Sequence, residues 1–252
     1  MKKFAKDQLR VEIYDSRKEM GKAAGKDFSA AVKELFKVKD TIRVVFAAAP
    51  SQNETLEAIA EDQTIDFSRI IGFHMDEYVD LDADAPQGFG NFLRRAIFSR
   101  RNFKEVHYLD GNSSDHEEAC RKYAEKLAEA PIDIVVMGIG ENGHIAFNDP
   151  EVADFNDPKD VKIVGLDDIC RNQQVHDGCF AKVEDVPTHA MTLTVPRLSR
   201  ATYHFCVVPA STKANAVFRM LNGDINEECP ATILRTIPKS VLYLDPDSSA
   251  LL

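Results

Sequence analysis

The sequence has no stretch approaching 18 apolar residues, which excludes a membrane-spanning helix. Its opening segment, MKKFAKDQLRVEIYD, has lysines but no apolar run after them, so it does not read as a signal peptide. Cysteines are few: five, at 120, 170, 179, 206 and 229, an odd number with no CxxC pair. That argues against a disulfide framework or a zinc ribbon and for buried, reduced thiols in a cytoplasmic protein. Basic residues are short as well, with 31 Lys and Arg against 41 Asp and Glu and a net charge of −10. Such a balance disfavours nucleic acid or an anionic membrane as the main partner. An anionic small substrate stays open, because a few local donors override the global sign. The seven histidines form no HxH or HExxH pattern, so neither a metal site nor a metal cofactor is expected.

What is present is a chain of 252 residues that is 44% hydrophobic, long enough to bury a large core, which rules out intrinsic disorder. Residues 16–37 carry Met20, Ala24, Phe28, Ala31 and Leu35 at helical spacing, with Asp15 or Ser16 as cap. Short apolar strands are expected at 42–48, around 70, at 132–140, 191–195, 203–208 and 241–245. Helical segments at 53 onward, 88–98, 114–129 and 211–221 lie between them, and 151–185 reads as less regular. Strands apolar throughout, alternating with helices, imply a parallel sheet covered on both faces. The expected fold is α/β, a single doubly wound, Rossmann-like domain over 1–252, since no repeat, low-complexity tract or linker divides the chain. Ligands of such sheets bind beyond the carboxyl ends of the strands.

Three segments at strand ends could carry chemistry. His74-Met75-Asp76-Glu77-Tyr78 offers two adjacent carboxylates, one free to act as a general base and the other to cap or pair. A helix-capping acid in a polar loop is the plainer alternative. Gly138 to Pro150 (GIGENGHIAFNDP) places three glycines before His144 and Asp149. Glycines let the backbone approach a ligand, and a carboxylate beside an imidazole suits acid/base work near neutrality; a structural turn is the alternative. The spacing matches neither a dinucleotide fingerprint nor a P-loop. Pro209-Ala210-Ser211-Thr212-Lys213 opens a helix with hydroxyls and a lysine, suited to phosphate or simply to capping. The earlier turn Ala47 to Asn53 brings Ser51, Gln52 and Asn53 to the same end of the sheet. Arg171 and His176 read as surface loop residues, and His189 and His204 as strand or edge histidines.

The MDEYV run at 75–79 and the GIGENGHIAFNDP run at 138–150 resemble the two signatures of the glucosamine-6-phosphate deaminases (isomerases). The order and spacing extend through Leu193-Thr194-Val195, Ser211-Thr212-Lys213 and Pro238-Lys239, nearly the whole chain. The related 6-phosphogluconolactonases usually continue their loop as GHTAS, without the asparagine and acid. The resemblance implies an aldose–ketose isomerisation with loss of ammonia, from glucosamine 6-phosphate to fructose 6-phosphate, with no cofactor. Asp76 matches the base that moves a proton between C2 and C1. His144, with Asp149, matches the ring-opening acid/base, while Asn142 stands where the family has an acid. Lys213 matches a phosphate-binding lysine and Ser51 a hydroxyl of the first phosphate loop, with Gln52, Asn53 and Gly143 beside them.

This chain departs from the pattern at several points. Asn142 cannot titrate, which leaves ring opening to His144 and Asp149, and Asp149 is one methylene shorter than the usual glutamate. The first phosphate loop is alanine-rich. The arginine expected before Val186-Pro187 is matched by Arg171 only with a gap. Two other readings share the pocket: hydrolysis of a sugar-phosphate lactone with His144 activating water, and a sugar-phosphate sensor that has lost turnover. Proteins of this resemblance occur in several assemblies, so a homo-oligomer stays among the options.

Overall fold

The computed structural model describes residues 1–252. The chain opens with a hairpin, β1 (Lys2–Lys6) and β2 (Leu9–Ile13), turned at Asp7 in the left-handed region. α1 (Arg17–Phe36) begins at Ser16, whose hydroxyl accepts from the Glu19 N–H. The stripe Met20, Ala24, Phe28, Ala31 and Leu35 is its buried face. There follow β3 (Ile42–Phe46), α2 (Asn53–Glu61), β4 (Ile70–His74) and β5 (Asp76–Tyr78). α3 (Phe89–Leu93) runs on into a wider π-type turn over Arg94–Phe98. After β6 (Glu105–His107) come α4 (His116–Ala128), capped by Asp115, and β7 (Ile134–Met137). The second half holds β8 (Val161–Gly165), α5 (Asp168–His176), β9 (His189–Leu193) and α6 (Val195–Ser199). It closes with β10 (Tyr203–Val208), α7 (Ala214–Asn222) and β11 (Ser240–Leu244).

Eight strands form one sheet in the order β1-β2-β11-β10-β7-β3-β4-β6, parallel throughout except for β1 against β2. β3, β4, β7, β10 and β11 are apolar on both faces because helices cover both. One core contains Val45, Met137 and Cys206, and the other Val44, Val136 and Val207, as residues alternate along each strand. From β3 the chain winds outward through β4 to β6. It then returns to the other side of β3 with β7, and continues to β10 and β11. The winding reverses between β3 and β7, and at such a point the connections leave a crevice beyond the strand ends.

Two expectations are corrected here. The strand at 191–195 does not join the parallel sheet: as β9 it is the centre of a separate antiparallel sheet, β5-β9-β8. Its alternating polar threonines, of which Thr192 is buried against the loop at 147–148, distinguish it from a strand apolar on both sides. The segment 151–185 is not irregular, for it supplies β8 and α5. The hairpin β1–β2 adds a strand pair at the sheet edge that hydrophobic runs alone did not reveal.

Candidate active site

A cleft opens at the β3/β7 reversal. Its floor is the alanine-rich turn after β3 and the glycine loop after β7. Asp76, His144 and Lys213 line it from three different strand ends.

Asp76 sits on β5, paired with Thr192 of β9, so it is fixed by a ladder rather than by a loop. Strand alternation sends Asp76 and Tyr78 inward and turns Glu77 to the other face. Glu77 accepts from the N–H groups of Phe89 and Gly90 at 3.0 and 2.8 Å, and so anchors the start of α3. Asp76 lines the cleft with only 6% of its surface exposed. Burial, and secondarily the neighbouring Glu77, pushes its carboxyl well above the ordinary carboxylate value. His74 holds the backbone beneath it. Its Nε2 accepts from the Leu109 N–H at 2.9 Å, so Nδ1 carries the proton and donates to the Asp76 carbonyl at 2.9 Å. Burial lowers the His74 pKa to about 4, which keeps this imidazole neutral.

The loop after β7 is fastened to the same small sheet. Asn148 donates to the carbonyls of Ile145 and Leu193, both at 2.9 Å, and the Phe147 N–H donates to Thr192 Oγ1 at 3.0 Å. β9 therefore registers Asp76 and His144 against one another. The His144 ring lies flat over Gly140, where a Cβ would stand 2.2–2.5 Å from three of its ring atoms, so only glycine admits the imidazole. Its Nδ1 is 2.7 Å from Asp149 Oδ1. Burial alone would raise Asp149, but His144, Asn142 and the Asp167 N–H outweigh it and hold the carboxyl below its usual range. Asn142 donates from Nδ2 to both Asp149 and Asp167 at 2.9 Å and accepts the His144 N–H at 2.9 Å. His144, Asp149 and Cys170 form the one trio of donors close enough for a metal ion. Here the imidazole and carboxylate touch each other directly, and burial followed by the charges of Asp149 and Asp167 keeps the Cys170 thiol protonated.

At the opposite end, Lys213 is 4% exposed and its Nζ has no hydrogen-bond partner. Burial lowers its pKa, and the nearby carboxylates Asp177 and Glu141 counteract that. An ammonium in this state is costly until an anion reaches it. The turn that presents it contains Ala210 at φ 81° and ψ 149°, a conformation that only glycine adopts readily, and such strain collects where geometry serves a site. Ser51 and Gln52 complete this end, with Gln52 Nε2 donating to the Val207 carbonyl at 3.1 Å.

The structure thus gathers Asp76, His144, Ser51, Gln52 and Lys213 around one cleft. Asp149 and Asn142 stand behind His144. Two residues expected on the ligand side are not there. Asn53 begins α2 and faces solvent, because the helix turns it away from the strand ends. Gly143 lies behind the loop at φ 90°, packed on Cys229 with no room for a Cβ. Arg171 points away too, donating to the Val183 and Val186 carbonyls. Sequence reasoning missed Gln173, Gln174 and Asp177, which line the cleft from α5. Their signal was the bracket of Asp167, whose carboxylate caps the Cys170 N–H, and Gly178 at φ 74° just past the end.

A family profile described as glucosamine-6-phosphate isomerases/6-phosphogluconolactonase matches residues 15–242. The chain belongs to this family. A glucosamine-6-phosphate deaminase of Bacillus cereus is 34% identical over 220 residues, covering 87% of this chain and 82% of that one. A deaminase of the same description from Bacillus thuringiensis matches at the same identity and coverage. Among solved structures, a monomeric glucosamine-6-phosphate deaminase superposes with a TM-score of 0.88 at 23% identity, covering 96% of this chain and 99% of that one. The 6-phosphogluconolactonase of Thermotoga maritima superposes at 0.76 with 21% identity, covering 94% and 99%. The structural matches establish the α/β fold shared across the family. No helix is long and apolar enough to cross a membrane.

Proposed function

We propose that this chain converts glucosamine 6-phosphate and water into fructose 6-phosphate and ammonia, working as one cytoplasmic domain over 1–252 without a cofactor. The observation that carries this reading is the pairing, in one cleft, of a buried carboxylate at Asp76 with a buried, unpartnered ammonium at Lys213. His144 lies between the two strand ends that bear them, backed by Asp149. The sequence relatives described as deaminases support the same reading.

Lys213, with Ser51 and Gln52, holds the phosphate. His144 delivers a proton to the ring oxygen as the sugar opens, and Asp149 orients the imidazole and stabilises its charged form. Asp76 then removes the C2 proton, leaving an enolamine across C1 and C2, and returns a proton to C1. The resulting iminium at C2 takes up water, and the C–N bond breaks to release ammonia and the ketone. Burial suits Asp76 to this work, since a carboxyl with a raised pKa is the stronger base. Lactone hydrolysis shares the family profile and the fold, but the sequence relatives at 34% identity are described as deaminases. The test incubates purified protein with glucosamine 6-phosphate, galactosamine 6-phosphate and 6-phosphogluconolactone, measuring ammonia, ketose phosphate and acid. Ammonia with fructose 6-phosphate supports the proposal. Acid from the lactone alone transfers the assignment to hydrolysis, and binding without turnover transfers it to a sensor.

A further inference from the structure

Charge on the cleft walls is unevenly placed. Lys213 is the only lysine or arginine lining the cleft, and Asp177 lines the same cleft from the end of α5. The Asp177 N–H bonds to the Gln173 carbonyl at 2.8 Å, closing the last turn, so the negative end of the helix dipole points to this wall as well. Its carboxylate is held by Gln173, whose Nε2 donates to Oδ2 at 3.3 Å while its Oε1 accepts the Glu141 N–H at 2.8 Å. No ion pair reaches it: the neighbouring His176 lies against Glu141 and Lys182 against Asp185. Arg171, nearly two turns earlier in α5, is committed to backbone carbonyls elsewhere. Asp177 is also the first of the charges that offset burial at Lys213 in the free protein, a part that a bound anion takes over in the complex.

We propose that Asp177 is a specificity-determining residue that sets the charge accepted at the Lys213 subsite, weakening its hold on a dianionic ester relative to a monoanionic one. The inference rests on the reading of the cleft as a sugar-phosphate site. Near pH 8 a phosphate monoester is mainly a dianion, its second pKa being about 6, whereas a sulfate ester carries one charge. Repulsion by a fixed carboxylate scales with ligand charge, so it costs the phosphate twice the free energy that it costs the sulfate.

The experiment measures binding of glucitol 6-phosphate and glucitol 6-sulfate by calorimetry at pH 8. Neither polyol has a carbonyl, so neither turns over. The wild-type protein is compared with Asp177→Asn and Asp177→Ser. Neutralising one carboxylate is expected to tighten the phosphate about tenfold and the sulfate about threefold, raising the phosphate preference about threefold. The gain shrinks with added salt. A purely structural disturbance moves both ligands together. An unchanged or reversed preference in both variants, with wild-type binding intact, overturns the role of Asp177 alone. Wild-type protein that binds neither ligand overturns the sugar-phosphate reading and this inference with it.

Discussion

The seat of His144 over Gly140 gives the sharpest test of the acid/base assignment. A methyl group at position 140 would stand 2.2 Å from Cε1, 2.3 Å from Nε2 and 2.5 Å from Cδ2 of the imidazole. Ordinary carbon contacts begin near 3.4–3.5 Å, so the ring must retreat by about 1 Å. Gly140 does not have a positive φ, so alanine is compatible with the backbone, and the damage falls on the ring. The 2.7 Å contact with Asp149 Oδ1 cannot survive such a shift unchanged. Misplacing a reacting group by about 1 Å costs about 100-fold in rate. Gly140→Ala is therefore expected to lower kcat by about 100-fold. Its KM should stay within about threefold, because Lys213, Ser51 and Gln52 come from other strand ends. Gly165→Ala, where a new methyl meets nothing within 4 Å, is the control expected to behave as wild type. Steady-state kinetics with an ammonia-coupled assay decide the matter. A kcat for Gly140→Ala close to the wild-type value would refute the placement of His144 in the chemistry.

Further consequences can be measured in the same way. Lys213→Met should raise KM for a 6-phosphate by about 100-fold, on the scale of a lost charge-assisted hydrogen bond of about 3 kcal/mol, while urea denaturation shows no loss of stability because the ammonium has no partner in the free protein. A parallel loss of stability and affinity would count against a dedicated anion site. Asn142→Asp removes a donor shared by two carboxylates at 2.9 Å and adds a third negative charge, so destabilisation by about 2–3 kcal/mol is expected; an unchanged midpoint would contradict that network. Asp76 must be ionised to accept a proton, so the acid limb of kcat/KM should lie above the ordinary carboxylate range, and a plateau extending down to about pH 4 would contradict a raised pKa. The sign for stability is opposite. A group that binds its proton more tightly when folded stabilises most below its unfolded pKa, and the contribution is lost as pH rises through the folded value. Asp76→Asn should accordingly raise Tm at pH 8, by about 2–4 °C per kcal/mol relieved, and do little at pH 4.

The parallel sheet was legible because burial on both faces leaves its strands apolar without interruption, as in Ile134–Met137 and Tyr203–Val208. Local patterns also located the MDEY and GHIAFN segments at strand ends. β5 and β9 were harder, since a three-residue strand shows too little periodicity and its partner lies more than 100 residues away in the chain. That pairing explains what the adjacent carboxylates left open: alternation turns Asp76 to the cleft and Glu77 to the α3 start. The role of Asn142 was equally non-local. An amide in place of an acid is intelligible only once Asp167, 25 residues on, is seen to share it with Asp149. The polar α5 hid Gln173, Gln174 and Asp177, because a helix that carries cleft residues on one side lacks a plain apolar stripe.

The central claim is that Asp76 in this cleft drives the deamination of an amino-sugar phosphate. Purified wild-type and Asp76→Asn proteins, both verified as folded, would be given glucosamine 6-phosphate while ammonia and fructose 6-phosphate are quantified together. Equal amounts of the two products from the wild type, and neither from the variant, is the predicted result. A folded wild type that releases no ammonia, or a variant that turns over at the wild-type rate, would contradict it.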